Sequence, residues 1–174
     1  MVAWRRALEW CAAAAFAYAA IVWGVALVDS LSGHDAGGPL LLGDLVAIAS
    51  YVLGAAVVRS WIGTGVAILA APYFLFDGLL RALGGGLATD GARPISAITF
   101  YHGSLSLYPT LGCVLILGFA FALKGRAPLA WPGGLIACAA TLVVGLLGRD
   151  AAIVAGAWYL LVAIELARPR RGVP

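Results

Sequence analysis

The chain has little charge. Of its 174 residues, 11% are charged and 63% are hydrophobic, whereas soluble globular domains typically have about 25% charged and about 45–50% apolar residues. So few charged side chains do not cover the surface of a water-soluble domain of this size. Disordered chains and small disulfide-rich secreted proteins are also excluded, because both are far less hydrophobic. The composition therefore predicts an integral membrane protein.

The sequence also lacks the motifs of several common functions. Its three cysteines, Cys11, Cys113 and Cys138, lie far apart in apolar segments, so neither a redox pair nor a cysteine-rich metal site is predicted. His34 and His102 share no local metal-ligand spacing. No basic tract is interleaved with aromatic residues, so we expect no nucleic-acid partner. We expect no cofactor, no metal and no catalytic residue, and active transport would need a partner or an ion gradient because the chain has no P-loop.

Six segments are apolar enough to cross a bilayer core about 30 Å thick, which takes about 20 helical residues. The predicted spans are 7–28, 40–58, 61–80, 104–123, 130–148 and 151–167. The first follows a basic start like that of a signal peptide, but its length of about 22 residues favours a retained helix. The third is expected to end at Arg81 and the glycine run 84–86.

Merging the last two spans would place Arg149 and Asp150 in mid-membrane, so six spans are favoured over five. The predicted fold class is an all-α integral membrane protein, a compact bundle of six transmembrane helices forming one polytopic domain over residues 1–174.

The basic residues predict the orientation of this bundle. If both termini are cytoplasmic, most of the cations lie on the inner side, as the positive-inside rule requires. The inner cations are Arg5, Arg6, Arg59, Lys124, Arg126, Arg168, Arg170 and Arg171, and the outer ones are Arg81, Arg93 and Arg149. The Ala-, Gly- and Arg-rich composition suggests a prokaryote of high GC content, and hence a multi-pass protein of a prokaryotic plasma membrane.

Small residues dominate the spans and predict close helix packing, because helices in lipid gain from van der Waals approach over small side chains. On the first span, Ala12, Phe16, Ala20 and, beyond them, Gly24 recur at a spacing of four. Packing within the bundle is the favoured interpretation. The alternative is that the Ala/Gly-rich faces dock a partner membrane subunit or a second copy of the chain.

Among the acidic residues of the spans, Asp44 stands apart. Glu9, Asp77 and Glu165 each have an arginine three or four residues away, which is consistent with simple ion pairs near the membrane surface. No cation lies within a helical turn of Asp44. If Asp44 were an N-cap, only 14 residues would remain to cross the bilayer. We therefore expect Asp44 to lie inside the second span and to be partnered by another helix.

The start of the fourth span is the most polar part of any span, and Pro109 is expected to kink or break it. Polar backbone at membrane depth is tolerated where it lines a cavity or is buried in protein. Both this stretch and the Asp44 region fall toward the predicted outer side. The candidate substrate- or ion-binding residues are Asp44, Asp77, Tyr101, His102, Ser104, Ser106 and Tyr108.

Two short motifs resemble those of the intramembrane aspartyl proteases. Leu41-Leu42-Gly43-Asp44 is similar to their GxGD motif, with leucine in place of the first glycine, and Phe76-Asp77 is similar to their second aspartate motif. The order of the two motifs is the reverse of that in the presenilin type. The resemblance implies two carboxylates that share a proton, Asp44 and Asp77.

Three hypotheses follow. The leading one is a membrane protein that binds or translocates a small solute or ion through a polar site near the outer leaflet, with a size and span number similar to the substrate-binding subunits of vitamin importers. The second is a non-catalytic membrane subunit of a larger complex. The third is an intramembrane enzyme, either aspartyl protease-like or metal-dependent.

Overall fold

The computed structural model describes residues 2–31, 37–87, 107–146 and 152–168, with side chains described over 4–25, 28, 41–76, 111–143 and 154–168. These residues form six α-helices and no strand. The helices are α1 (Val2–Leu31), α2 (Gly37–Val58), α3 (Trp61–Leu87), α4 (Leu107–Leu123), α5 (Ala130–Leu146) and α6 (Ala152–Ala167).

Each of the six predicted spans corresponds to one of these helices, and the largest difference is the end of the third. The sequence predicted a break at Arg81 and the glycine run, but α3 continues through both to Leu87. Glycine weakens a helix interior by roughly 0.5–1 kcal/mol without removing a backbone donor, so the helix continues. Pro109 is the third residue of α4 as described, within the first turn, where a proline removes no intrahelical hydrogen bond.

Within the described residues, two helical segments are long and apolar enough to cross a membrane, Trp4–Val25 and Leu41–Val58. Helix interiors of soluble proteins and signal sequences can also satisfy these criteria of length and composition. Four further apolar helical segments in the described part of the chain are shorter: Trp61–Phe76, Leu111–Leu123, Ala130–Val143 and Val154–Ala167.

The helices form a closed ring in chain order. Each packs against the next along the chain, and α6 returns to pack against α1. Neighbours run antiparallel: Trp23, late in α1, meets Asp44, early in α2, whereas Phe16 meets Tyr51 further along α2. The same antiparallel pairing closes the ring, because the start of α1 meets the end of α6 where Arg6 bonds to the Ala167 carbonyl. The fold is an up-and-down bundle whose odd-numbered helices begin at the same end.

Aromatic rings fill the centre of the ring of helices. Phe16, Tyr51, Phe119 and Tyr159 come from four different helices and are at most 1% exposed. Phe16 lies 5.0 Å from Tyr159 and 5.5 Å from Phe119 between ring centroids, and Tyr51 lies 5.1 Å from Phe119. These are ordinary distances for attractive aromatic pairs. The central cluster therefore joins α1, α2, α4 and α6 across the bundle.

Small residues bring the helices close around this cluster. A Cβ on Gly118 of α4 would lie 2.6 Å from a methyl carbon of Val66 on α3. Ala12 and Ala20, two of the small residues singled out on α1, are buried inside the bundle, whereas Gly24 is exposed with open space around it. Much of the small-residue pattern on α1 is thus used for packing within the chain.

The outer surface of the bundle is apolar. Every helix carries exposed large hydrophobic side chains, among them Ile68 of α3 (67% exposed) and Ile136 of α5 (71%). Monomeric soluble proteins rarely expose apolar patches of more than a few hundred Å². An apolar exterior on all six helices is the surface that a lipid environment favours.

Apart from Asp44, the charged side chains that the structure describes lie at one end of the bundle, called here the charged end and formed by the start of α1, the two turns 59–60 and 124–129, and the end of α6. At the first turn Arg59 has a φ of 54°, which is a left-handed conformation. It ends α2, and the Arg59 N–H donates to the Ala55 carbonyl at 2.8 Å. Ser60 then caps α3, because its Oγ accepts the Gly63 N–H at 3.1 Å.

Candidate functional site

Asp44 lies inside α2 and is buried. The helix begins seven residues earlier at Gly37, so Asp44 is not its N-cap. The residue is 2% exposed. At 1.5 Å per residue, Asp44 lies about 22 Å along the helix axis from Arg59 at the charged end. Its carboxylate is therefore well separated from the arginines that surround the other two described acids.

The tryptophan Trp23 of α1 supplies a hydrogen-bond donor to this carboxylate. Its Nε1 donates to Asp44 Oδ1 at 3.3 Å, and both residues are buried. The neighbouring Gly43 makes room for the indole, since a Cβ at that position would lie 2.6 Å from Trp23 Cδ1 and 2.7 Å from Nε1. The Gly43-Asp44 pair thus fits the indole of Trp23 in both shape and polarity.

Phenol groups from three helices surround the same region. The hydroxyl of Tyr159 on α6 is within electrostatic reach of Asp44, Tyr51 of α2 and Tyr73 of α3. The Tyr159 ring lies 5.0 Å from that of Trp23 between centroids. Tyr159 is 1% exposed, and its hydroxyl lies near that of Tyr51, in a geometry outside the usual distance or angle of a hydrogen bond. A buried hydroxyl without such a bond is costly, so this is a polar position within an otherwise apolar interior.

We call the carboxylate Asp44 with Trp23, Tyr51, Tyr73 and Tyr159 the interior polar cluster. Sequence analysis singled out Asp44 and expected a partner from another helix, but it did not identify Trp23 or the three tyrosines. The tyrosines are scattered over the sequence with no shared spacing, and only the antiparallel ring brings them to one depth. The sequence signal for the contact with Trp23 is the Gly43-Asp44 pair, because a small residue beside a buried acid leaves space for a large side chain from another helix.

The other predicted site residues cannot be placed at this cluster. Asp77 lies in α3 and Tyr108 in α4, but their side chains lie outside the described part. Tyr101, His102, Ser104 and Ser106 lie wholly outside the described residues. The pairing of Asp44 with Asp77 that the protease resemblance implies is therefore untested by the geometry.

The charged end holds a second polar cluster, in which the acids are more buried than sequence analysis expected. Glu9 is 5% exposed, although it was expected to form only a simple surface pair. It accepts from Arg6 at 3.3 Å and from Arg126 at 3.0 Å. Arg126 lies between α4 and α5, 117 residues along the chain. Glu9 therefore ties α1 to the turn of a different helical hairpin.

Glu165 and Arg6 complete this second cluster. Glu165 accepts the backbone N–H of Leu129 at 2.9 Å and pairs with Arg168 at 2.7 Å. Arg6 donates to the carbonyls of Ala167 and Arg168 at 3.1 and 3.2 Å, so it caps the end of α6. We call Arg6, Glu9, Arg126, Glu165 and Arg168 the charged-end network. It joins the first and last helices where the ring closes.

The sequence carried a partial signal for this network. The positive-inside orientation already placed the start of α1, the turn 124–129 and the end of α6 on one side. Sequence spacing, however, predicts only the ion pairs that Glu9 and Glu165 form with arginines three or four residues away. Their bonds to Arg126 and to the Leu129 N–H depend on the order of the helices around the ring.

The described side chains include no group of three or more His, Cys, Asp or Glu residues that could hold a metal ion. Cys113 and Cys138 are buried free thiols, and the Cys113 Sγ donates to the Cys138 carbonyl at 3.4 Å. They act as small packing residues between α4 and α5. The interior polar cluster is the arrangement that offers chemistry to a ligand, namely one carboxylate, an indole N–H, phenol hydroxyls and aromatic faces.

Comparison with known proteins gives no relative for this chain: no protein-family model, no curated protein and no solved structure matches it significantly.

Proposed function

We propose that this chain crosses a membrane six times and binds or translocates a small solute or ion at Asp44. The apolar exterior of all six helices supports the membrane location, because soluble monomers rarely expose large apolar patches. The charged end supports the orientation with both termini inside. There, exposed cations lie beside tryptophans, as where Lys124 Nζ lies 5.4 Å from the centroid of the Trp131 ring.

The observation that carries the function is the buried carboxylate of Asp44. In a bilayer core about 30 Å thick, a position about 22 Å from the charged end is still within the hydrocarbon. A charged group at membrane depth is costly, and such residues mark ion or substrate pathways. The position of Asp44 in the bundle interior, bonded to Trp23 and near the buried hydroxyl of Tyr159, supports a role in binding.

A thermal-stability screen tests this function in detergent-solubilised protein. The panel contains inorganic cations, inorganic anions, neutral sugars, amino acids and organic cations, each tested against the wild type and Asp44→Asn. We expect at least one solute to raise the melting temperature of the wild type by about 5–10 °C when present at about 100 times its Kd, since this corresponds to about 2.7 kcal/mol. Asp44→Asn should not respond to that solute.

The matched control is Glu165→Gln, which makes the same carboxylate-to-amide change in the charged-end network. Its remaining carbonyl oxygen can still accept the Leu129 N–H, so the solute response should stay as in the wild type. A response that Asp44→Asn retains would remove Asp44 from the function. A panel without any response, together with a wild type that purifies only with another subunit, would favour the alternative of a non-catalytic membrane subunit.

A further inference from the structure

We infer that the edge of the charged end between α1 and α6 binds an anionic phospholipid, and that Arg5 and Arg168 contact its phosphate group. The inference relies on the membrane location proposed above and is independent of the site at Asp44. It is carried by exposed arginines that lie beside exposed apolar side chains on two adjoining helices. This arrangement matches the anionic head and the acyl chains of one lipid molecule.

Arg6 brings the two exposed arginines to the same edge of the bundle. It follows Arg5 on α1, and it donates to the backbone carbonyls of Ala167 and Arg168 at 3.1 and 3.2 Å. The side chain of Arg5 is 52% exposed and that of Arg168 is 57% exposed. The start of α1 and the end of α6 therefore present two accessible guanidinium groups on adjoining segments.

The charge of this edge favours an anionic ligand. Arg5 and the charged-end network together contain four arginines and two glutamates, so positive charge is in excess. Both carboxylates are buried, since the side chain of Glu9 is 6% exposed and that of Glu165 is 2% exposed. The exposed charge is therefore cationic, and basic residues near a membrane surface attract anionic lipids.

The sequence positions of the other acids leave this excess of positive charge in place. Asp44 lies about 22 Å along α2 from the charged end. Asp29 and Asp77 belong to the halves of α1 and α3 that are remote from the charged end. The last three acids are next in sequence to helix ends at the opposite end of the bundle, and they are Asp35, Asp90 and Asp150. By helix order, the acids of the charged end are Glu9 and Glu165.

Apolar side chains lie about one helical turn from these arginines, toward the middle of the bundle. Ile164 is 53% exposed, and its carbonyl accepts the Arg168 N–H at 3.1 Å, so the two residues keep helical spacing. On α1, Trp10 is 53% exposed, and the Arg6 guanidinium carbon lies 5.6 Å from the centroid of its ring. Four helical residues rise about 6 Å, which is close to the thickness of the headgroup region of one leaflet, about 5–8 Å. With Arg168 at the depth of the phosphates, Ile164 therefore lies at the start of the hydrocarbon.

These two features distinguish an anionic lipid from other ligands. Inorganic phosphate would use the arginines and leave the exposed surface of Trp10 and Ile164 uncovered. A zwitterionic lipid would bring its own cation close to the arginines, where positive charge is already in excess. An anionic phospholipid complements both the charge and the apolar surface of this edge.

Native mass spectrometry of the detergent-solubilised full chain tests the inference by counting bound lipid. The protein is titrated with phosphatidylglycerol and, separately, with phosphatidylcholine that has the same acyl chains. We expect one phosphatidylglycerol to bind with about 10–30-fold higher affinity than phosphatidylcholine, because each basic residue near a lipid surface contributes about fivefold. Inorganic phosphate should displace no more phosphatidylglycerol than sodium chloride of the same ionic strength does.

Two substitutions test the arginines. Arg5→Gln and Arg168→Gln should each weaken phosphatidylglycerol binding about fivefold, and the double variant about 20–30-fold, while phosphatidylcholine binding stays the same. The matched control is Arg59→Gln, which removes an exposed cation from the turn between α2 and α3 and should bind as the wild type does. Arg168 also pairs with the buried Glu165, so Arg5→Gln alone decides the result if Arg168→Gln is too unstable to purify.

Three results would overturn the inference. Equal affinity of the wild type for the two lipids would remove the preference for an anionic lipid. Equal losses in Arg59→Gln and Arg5→Gln would mean diffuse attraction to the whole charged end, and displacement by inorganic phosphate would mean an anion site that needs no lipid.

Two further observations separate this inference from the alternatives. An acidic protein that copurifies with the wild type and is released by Arg5→Gln, in a chain without preference for phosphatidylglycerol, would assign this edge to a protein partner and contradict the inference. Asp44→Asn should bind phosphatidylglycerol as the wild type does. The lipid site and the function proposed for Asp44 can therefore fail independently of each other.

Discussion

Replacing Glu9 by alanine should lower the free energy of unfolding by about 3–5 kcal/mol, the usual cost of removing one member of a buried ion pair. The Glu9 side chain is 6% exposed and that of Arg126 is 14% exposed, so solvent does little to compensate the arginine after the change. The melting temperature in detergent should fall accordingly, and the measurement is a denaturation series monitored by circular dichroism.

The matched control is Arg5→Ala in the same turn of α1. Arg5 lies 4.0 Å from Glu9, and its side chain is 52% exposed. An exposed pair of this kind contributes about 0–1 kcal/mol, so the control should be close to the wild type. If Glu9→Ala also stays within about 0.5 kcal/mol of the wild type, the charged-end network does not hold the ring of helices closed.

Replacing Gly54 by alanine should destabilise the protein by about 1–3 kcal/mol through overpacking. A Cβ at Gly54 would overlap the Phe119 ring and lie 3.2 Å from Phe16 Cε2. Both rings are fully buried in the central aromatic cluster and have no free space to move into. The same denaturation series measures this effect.

Gly65→Ala is the control for this prediction, because nothing lies within 4 Å of a Cβ at that position. Alanine there should be neutral or should stabilise α3 by roughly 0.5–1 kcal/mol, since it restricts the unfolded chain and favours a helix. Equal effects of the two substitutions would contradict the close approach of α2 to the aromatic cluster.

Much of the helical pattern could be predicted from the sequence, because apolar segments bounded by cations and turn residues are a local signal. The break expected after Arg81 was wrong, since glycines alone do not end a helix when no proline or cap follows. The order of helices around the ring could not be predicted. It depends on which faces of Phe16, Tyr51, Phe119 and Tyr159 fit together, and that is a property of packing between distant segments.

The candidate site could be predicted only in part. Asp44 is conspicuous because a lone acid in an apolar segment is unusual in any chain. Trp23 and Tyr159 have alternative uses as ordinary packing residues, so their sequence positions say little. The role of Glu9 was underestimated for a related reason. Arg5 and Arg6 lie at the helical spacing expected for its ion-pair partners, so the sequence did not indicate the additional bond to Arg126.

The account depends most on the claim that the apolar exterior of the ring of helices lies in lipid. Nitroxide spin labels at single cysteines that replace Ile68, Ile136 and Ser60, in a chain without its native cysteines, test this claim in reconstituted vesicles. Collision rates with oxygen and with a water-soluble nickel complex report the surroundings of each label. Labels at 68 and 136 should collide with oxygen and not with nickel, whereas the label at 60, at the charged end, should collide with nickel. Nickel collisions at 68 and 136 equal to those at 60 would contradict the account.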